Sequence, residues 1–120
     1  MKEKMLILPM KKKWFDMVLS GEKRQEFREY KPYWTKRIES WERINGEKGR
    51  SLNPIENEIV FSKLLPILFV NGYGKNAPRF IGKVDGYSIR SIPRHPEWGE
   101  SEYAEKLHYA FHVRVIERIN

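Results

Sequence analysis

The apolar and polar residues at the start of the chain predict a strand followed by a short helix. The segment KMLILP contains the apolar run MLIL and predicts a buried strand that Pro9 ends. Apolar side chains, including Trp14 and Val18, then recur at helical spacing over residues 11–20, which predicts an amphipathic helix. Gly21 suits the position after that helix, because glycine tolerates a left-handed backbone.

The next segment predicts a second strand and a second helix. RQEFREY alternates between two sets of side chains, as a strand does. KPYWTKRIESWERING begins a helix at Pro32 and ends it before Gly46. Trp34, Ile38 and Trp41 have the spacing of one helix face, so we expect them to pack in the core. The alternative is that the two indoles stack on unpaired bases.

The sequence pattern of the second half of the chain predicts strands. EIVFSKLLPILFV predicts one or two strands broken at Pro66, and NGYGKN predicts a turn. RFIGKVDGYSIRSI predicts a long strand bent at Gly82 or Gly86. Alternation from Phe111 onward predicts a last strand. The segments GEKGRSLNPIENE and PRHPEWGES are polar and predict loops.

Together these elements predict one α+β domain that spans residues 1–120. About five or six strands follow one another with both helices placed early, an order that favours a mostly antiparallel sheet. Closing a small sheet on itself removes exposed strand edges. The expected fold is therefore a small, mostly antiparallel β-barrel with two short helices near its N-terminus.

The composition narrows the class of protein. Hydrophobic residues make up 40% of the chain and aromatic residues 13%, which favours a folded domain. The absence of cysteine excludes disulfides and thiolate metal sites and fits the reducing cytoplasm, where we expect the protein. We see no signal peptide and no apolar run that is long enough to span a membrane. His108 and His112 have the spacing of a metal-binding pair on a helix, but the alternation from Phe111 onward favours a strand and His95 is the one further histidine, so we predict no metal. No nucleotide-binding fingerprint occurs in the sequence, and we predict no cofactor.

The charge balance points to anionic partners. The formal net charge is +7, and a folded basic surface attracts polyanions. Charge alone does not distinguish a nucleic acid from other partners. One stretch is instead acidic and contains no basic residue, and it is a candidate contact for a protein partner: Glu97, Glu100, Glu102 and Glu105.

Four spaced residues follow the first helix in the pattern G-x-K-x-x-E-x-R, namely Gly21, Lys23, Glu26 and Arg28. Strand alternation puts Glu26 and Arg28 on one face, and Lys23 lies at the entry turn. A carboxylate between two cations suits recognition of a phosphate, or of a base edge with both a donor and an acceptor. The alternative is an exposed strand with surface ion pairs, each contributing less than ~1 kcal/mol.

The segment LPMKKKWFDMVLSGEKRQEFR resembles the defining segment of the ASCH domain family, in which a strand and a short helix precede this motif. LFVNGYGKNAPRFIGKV and EWGESEYAEKLHYAFHVRVIERI are similar to later segments of its small phage-associated members, whereas residues 42–62 match no part of them. The resemblance implies a PUA-like barrel. It also implies a cleft, lined by the motif, that binds RNA or a nucleotide-like ligand.

A branch of proteins similar to this family hydrolyses the amide of N4-acetylcytidine. In that branch a threonine occupies the position of Glu26 and acts with a lysine at the position of Lys23 and a distant glutamate. This chain lacks that hydroxyl. A hydrolase acting on a modified nucleoside or on RNA would therefore need Lys23 as base and Glu26 as acid. Whether the protein is an enzyme or a binding module stays open at this point.

Further residues are candidates for the same site. Lys12 and Lys13 open the first helix, where a phosphate would offset their unfavourable interaction with the helix dipole; the alternative is a solvated turn. Tyr30 lies on the motif face and Tyr73 lies in a glycine turn, so both are candidates for stacking on bases. The same turn adds polar donors, unless it is a plain hairpin: Lys75, Asn76 and Arg79.

Overall fold

The computed structural model describes residues 4–47, 50–53, 58–91 and 106–118. These ranges form two helices and six strands. In chain order the elements are β1 (Leu6–Met10), α1 (Lys12–Leu19), β2 (Gln25–Glu29), α2 (Pro32–Ile44), β3 (Arg50–Asn53), β4 (Glu58–Asn71), β5 (Arg79–Ser91) and β6 (Leu107–Arg118). Within the described ranges, no helix has the length and apolar character needed to cross a membrane.

The strands form one mixed sheet in the order β1–β4–β5–β6–β2, and β3 pairs with the start of β4. Among the described strands, β1 runs parallel to β4 and the other pairs are antiparallel. The arrangement confirms the predicted small α+β fold, mostly antiparallel and barrel-like in shape. β1 and β2 lie at opposite ends of the strand order, although only α1 separates them in the chain.

Helix α1 lies against the sheet, and its bounds are close to residues 11–20, the range that the periodicity predicts. Phe15 and Val18 are its buried residues, and the ring centre of Phe15 lies 5.0 Å from that of Phe80 on β5. The helix ends before Gly21, which has a φ of 83°. A side chain at that backbone conformation would be strained, so glycine lets the chain turn directly into β2.

Helix α2 begins at a proline and ends before Gly46, as the sequence predicts. Ile38 and Trp41 are buried, and Trp34 is partly buried against the core. The indole N–H of Trp41 donates to the carbonyl oxygen of Pro66 at 2.9 Å. The prediction that the indoles pack in the core is therefore confirmed, and α2 is held against β4 by both apolar contact and a buried hydrogen bond.

Two prolines lie inside strands that the sequence pattern predicts to end or break there. β1 continues through Pro9 to Met10, because Pro9 lies on an end strand, where a missing N–H need not cost a ladder bond. Pro66 lies inside β4, opposite Lys83. Its carbonyl oxygen points away from β5 and accepts from Trp41. Because the nitrogen and the carbonyl of a strand residue point to the same side, the nitrogen of Pro66 also points away from β5. The hydrogen bonds between β4 and β5 therefore lose no donor.

Two other predictions need correction or refinement. The segment predicted to be a polar loop contains β3, which pairs with Glu58–Val60. This pairing satisfies the backbone N–H and C=O groups of β3, and the local sequence pattern does not predict it. The predicted bend of β5 lies near Gly86, where the register shifts between Val84 and Tyr87. Gly86 has a φ of 152°, and a β-carbon there would collide with the carbonyl oxygen of Ile59. The predicted loop PRHPEWGES and the acidic stretch lie outside the described residues.

Candidate ligand-binding site

The motif residues are positioned by the turn between α1 and β2. The N–H of Gly21 donates to the carbonyl of Val18 at 3.1 Å, and the N–H of Lys23 donates to the carbonyl of Met17 at 2.9 Å. The chain therefore folds back along the end of the helix before β2 begins. β2 then pairs with β6, which puts Glu26 opposite the buried Phe111. The motif face of β2 consequently points into the protein.

Lys23, Glu26 and Arg28 form a nearly buried group of ion pairs, here termed the triad. The Nζ of Lys23 lies 3.1 Å from Oε1 of Glu26, and Nη1 of Arg28 lies 2.9 Å from Oε2 of the same carboxylate. The side chains of Lys23 and Glu26 are each 5% exposed and that of Arg28 is 15% exposed. The alternative of an exposed strand with surface ion pairs therefore does not describe this motif.

The carboxylate at the centre of the triad is held in its ionised form. Burial would raise the pKa of Glu26, but Arg28 and Lys23 outweigh this effect by favouring the negative charge. Hydrogen bonds from the backbone N–H of Phe27, at 3.0 Å, and from Arg28 act in the same direction. The pKa of Glu26 therefore lies below its ordinary value. At neutral pH Glu26 is an acceptor and not a proton donor.

Arg28 also joins the two end strands of the sheet. Its Nη1 donates to the carbonyl of Phe27 at 2.7 Å, and its Nη2 donates to the carbonyl of Pro9 on β1 at 2.8 Å. One guanidinium thus connects β2, Glu26 and β1. The sequence motif predicts the pairing with Glu26, but not the bond to Pro9, because that bond depends on the two strands meeting across the fold.

Aromatic rings surround both cations of the triad. The Nζ of Lys23 lies 4.9 Å from the ring centre of Trp14 and 5.0 Å from that of Phe27, and Arg28 lies 5.4 Å from the ring of Trp34. The quadrupole of an aromatic ring attracts a cation placed over its face. The rings and the carboxylate of Glu26 therefore stabilise both cations in their positions. Trp14 and Phe27 were not among the predicted site residues, because ring-to-cation contacts across elements leave no signal in sequence spacing.

The predicted residue Tyr30 lies just beyond the end of β2 and is 47% exposed. Its ring centre is 5.2 Å from that of Tyr109, whose hydroxyl hydrogen-bonds Thr35 at 2.7 Å. Tyr30 therefore has one side against the protein and another toward solvent. That is the arrangement a stacking residue needs. Tyr109 lies opposite Arg28 in the sheet register, so Tyr30 lies beside the triad on the same face of β2.

The two predicted lysines of α1 have different surroundings. Lys12 forms an exposed ion pair with Asp16, one helical turn further on. Lys13 lies 4.9 Å from the ring centre of Trp14, the same ring that Lys23 contacts. Trp14 therefore connects Lys13 to the triad.

The predicted residues of the β4–β5 turn form an ordered loop. Tyr73 is 91% exposed, and Lys75 and Asn76 are also exposed. Arg79 instead faces the loop itself: it donates to the carbonyls of Ala77 at 3.1 Å and Lys75 at 2.8 Å. In this structure Arg79 braces the turn, and the other three side chains are the ones that solvent or a ligand reaches.

A second polar network lies on the opposite face of β2 and was not predicted. Nη2 of Arg90 donates to Gln25 at 2.7 Å, and Gln25 lies 3.0 Å from Nδ1 of His112. Burial, and to a lesser degree Arg114, lowers the pKa of His112, so the ring is neutral at pH 7. These residues come from three strands, and only the sheet register, which places Gln25 opposite His112, brings them together.

Other parts of the molecule offer less for a ligand. Among the described residues, no group of three or more histidine, cysteine or carboxylate side chains has the arrangement of a metal site. A depression of about 200 Å³ lies between the start of β1 and α2, lined by residues that include Ile7, Arg37 and Trp41, and it shares no residue with the triad. The acidic stretch predicted to contact a protein partner is outside the described residues.

Comparisons of this chain with models of known protein families, with curated proteins and with solved structures found no match in any of the three. The ASCH assignment and the PUA-like fold therefore stay predictions from the sequence motif.

Proposed function

We propose that this chain is a cytoplasmic ASCH-type domain of PUA-like fold that binds RNA or a nucleotide-like ligand at the triad. One observation supports the proposal above the others. Two cations share one carboxylate at a nearly buried position, so the triad keeps a net positive charge away from bulk water. Burying an uncompensated charge is costly. A phosphate or carbonyl oxygen from a ligand would offset that cost.

The hydrogen bonds of Glu26 define its role in this proposal. Its two oxygens already accept from Lys23, from Arg28 and from the N–H of Phe27. A carboxylate used in this way orients the two cations and has little capacity left for a base edge. Lys23 and Arg28 therefore contact the ligand, and Glu26 positions them.

The donors of Lys23 and Arg28 exceed the acceptors around them. An ammonium group has three N–H donors, and within the described part of the chain Lys23 has one hydrogen-bond acceptor, Glu26. The half-buried rings of Trp14, Phe27 and Trp34 flank both cations. A nucleotide at this position would thus have donors for its oxygen atoms and aromatic surface for its base.

The test is fluorescence-anisotropy binding of short single- and double-stranded RNA at low and physiological salt. Wild type is compared with Lys23→Ala, Arg28→Ala and the exposed control Lys36→Ala, each checked by thermal unfolding so that only folded protein is used. We expect the two triad variants to lose at least about tenfold in affinity at physiological salt, since charged hydrogen bonds contribute about 1.5–3 kcal/mol. Equal losses in all three variants, or no binding at that salt, would overturn the proposal.

A small hydrolase is the second candidate, and one contact favours it. The amine of Lys23 lies 3.1 Å from the carboxylate of Glu26, within the distance at which a catalytic group and its partner act together. Because the pKa of Glu26 is lowered, Glu26 would act by orienting Lys23. Release of cytidine from N4-acetylcytidine by wild type, lost in Lys23→Ala, would support this activity. No release by wild type would exclude this substrate.

A further inference from the structure

The most exposed large hydrophobic side chain of the described residues is presented by a well-braced turn. Tyr73 is 91% exposed at the tip of the β4–β5 loop. Arg79 donates to three carbonyls of this loop, including that of Lys75 at 2.8 Å, and the N–H of Ala77 donates to Gly74 at 3.0 Å. The ring is therefore held out into solvent by a preorganised backbone, which lowers the entropy cost of binding through it.

The turn lies beside the start of α1. The N–H of Gly72 donates to the carbonyl of Met10 at 3.0 Å, and the exposed lysines of residues 11–13 follow directly. The first turn of α1 contains no acidic residue. Residues 11–13, Tyr73 and Lys75 are here termed the basic edge. It combines four exposed ammonium groups with one exposed ring, and Lys12 pairs with Asp16.

The basic edge is continuous with the triad through the end of β1. Arg28 donates to the carbonyl of Pro9, and Gly72 donates to the carbonyl of the next residue, Met10. Lys13 and Lys23 also contact the same ring, that of Trp14. Two independent contacts thus connect the nearly buried cations with the exposed ones.

We propose that the basic edge and the triad together bind a single-stranded RNA segment, with an unpaired base stacked on Tyr73 and successive phosphates along the lysines. This inference rests on the proposed function and specifies its ligand. Four lysines exceed what one phosphate can use, so a polymer fits better than a mononucleotide. Bases in a duplex are already stacked on each other, and only an unpaired base can stack on an exposed ring.

An acidic protein segment would also complement a basic surface, but the residue types favour nucleic acid. Lysine is depleted at protein interfaces. Cations beside exposed aromatic rings are typical of surfaces that bind single strands. A protein ligand is therefore one outcome of the test and not the proposal.

The experiment measures the anisotropy of a labelled single-stranded RNA of roughly ten nucleotides, a length within known site sizes for such domains. The variants are Tyr73→Ala, Tyr73→Phe, which keeps the ring, and Lys75→Ala with its matched control Lys36→Ala. Binding of a nucleoside monophosphate and of the same RNA as a duplex is measured in parallel. Polyglutamate serves as the acidic competitor.

We expect Tyr73→Ala to weaken binding of the single strand at least about fivefold, as loss of one base stack predicts. Tyr73→Phe should stay within about twofold of wild type, as is usual for a surface substitution that removes no essential contact. Lys75→Ala should weaken binding more than Lys36→Ala. Binding of the monophosphate should be the same in Tyr73→Ala and wild type.

Three results would overturn this inference. One is unchanged single-strand affinity in Tyr73→Ala. The second is binding of the duplex that depends on Tyr73 as strongly as binding of the single strand does. The third is binding of polyglutamate that depends on Tyr73 and displaces the RNA. If the monophosphate still binds and Lys23→Ala abolishes that binding, only this inference fails. If wild type binds neither the monophosphate nor RNA, the proposed function fails with it.

Discussion

The triad and the basic edge contain similar cations in opposite surroundings. Lys23 is 5% exposed, lies over two rings and pairs with Glu26, whereas Lys75 is exposed on a loop. Removing a charge from water costs several kcal/mol, which only good geometry offsets. An exposed charge costs little and is screened by salt. In the proposed function, the triad therefore holds a ligand group in one orientation, while the basic edge supplies attraction that depends on ionic strength.

The largest expected effect is on the triad's carboxylate. Glu26→Gln leaves Lys23 and Arg28 buried with no counter-charge, and breaking a buried pair in this way costs about 3–5 kcal/mol of the free energy of unfolding. Urea denaturation measures this. The matched change at an exposed pair, Asp16→Asn, removes the partner of Lys12 and should cost less than about 1 kcal/mol. Equal losses in the two variants would mean that the triad is as solvated as the helix surface.

A smaller loss is expected when Arg28 is replaced by lysine. Arg28→Lys keeps the charge but cannot donate to Pro9, Phe27 and Glu26 together, so we expect a loss of about 1–3 kcal/mol in unfolding free energy. Hydrogen exchange should also become faster in β1. The control is Arg114→Lys at an exposed pair with Asp85, which should change little. Unchanged exchange in β1 would show that Arg28 does not join the two end strands.

The pH dependence of the free energy of unfolding should report the ionisation of the triad's carboxylate. The pKa of Glu26 is lowered from its ordinary 4.5 in the folded protein, so its stabilising contribution is complete above 4.5 and is lost as pH falls through the folded value. Unfolding free energy measured from neutral to acidic pH should therefore fall more steeply for wild type than for Glu26→Gln. Parallel curves for the two proteins would contradict a lowered pKa at this carboxylate.

The smallest effect on stability is expected at the basic edge. Lys75→Ala removes an exposed side chain and should change the free energy of unfolding by no more than about 0.5 kcal/mol. Its effect should appear in the salt dependence of RNA binding instead. Loss of one phosphate contact to a single strand lowers the slope of log affinity against log salt by about 0.7. An unchanged slope would remove Lys75 from the RNA contact.

Much of the site follows from local sequence patterns. Gly21 ends α1 because of its backbone freedom, and alternation in β2 puts Glu26 and Arg28 on one face. These features depend on neighbouring residues, which the sequence lists directly. The bond from Arg28 to Pro9 and the rings over Lys23 depend on contacts between elements, so no spacing rule predicts them.

Local sequence patterns predict the helices, most of the strands and the order in which the motif residues enter β2. Three features depend instead on contacts between distant segments: the pairing of β3, the passage of β4 through Pro66 without a break and the near burial of the triad. The physical reason is the range of the interactions. Periodicity and helix ends act over a few residues, whereas strand pairing and burial depend on which distant segments the whole fold brings together.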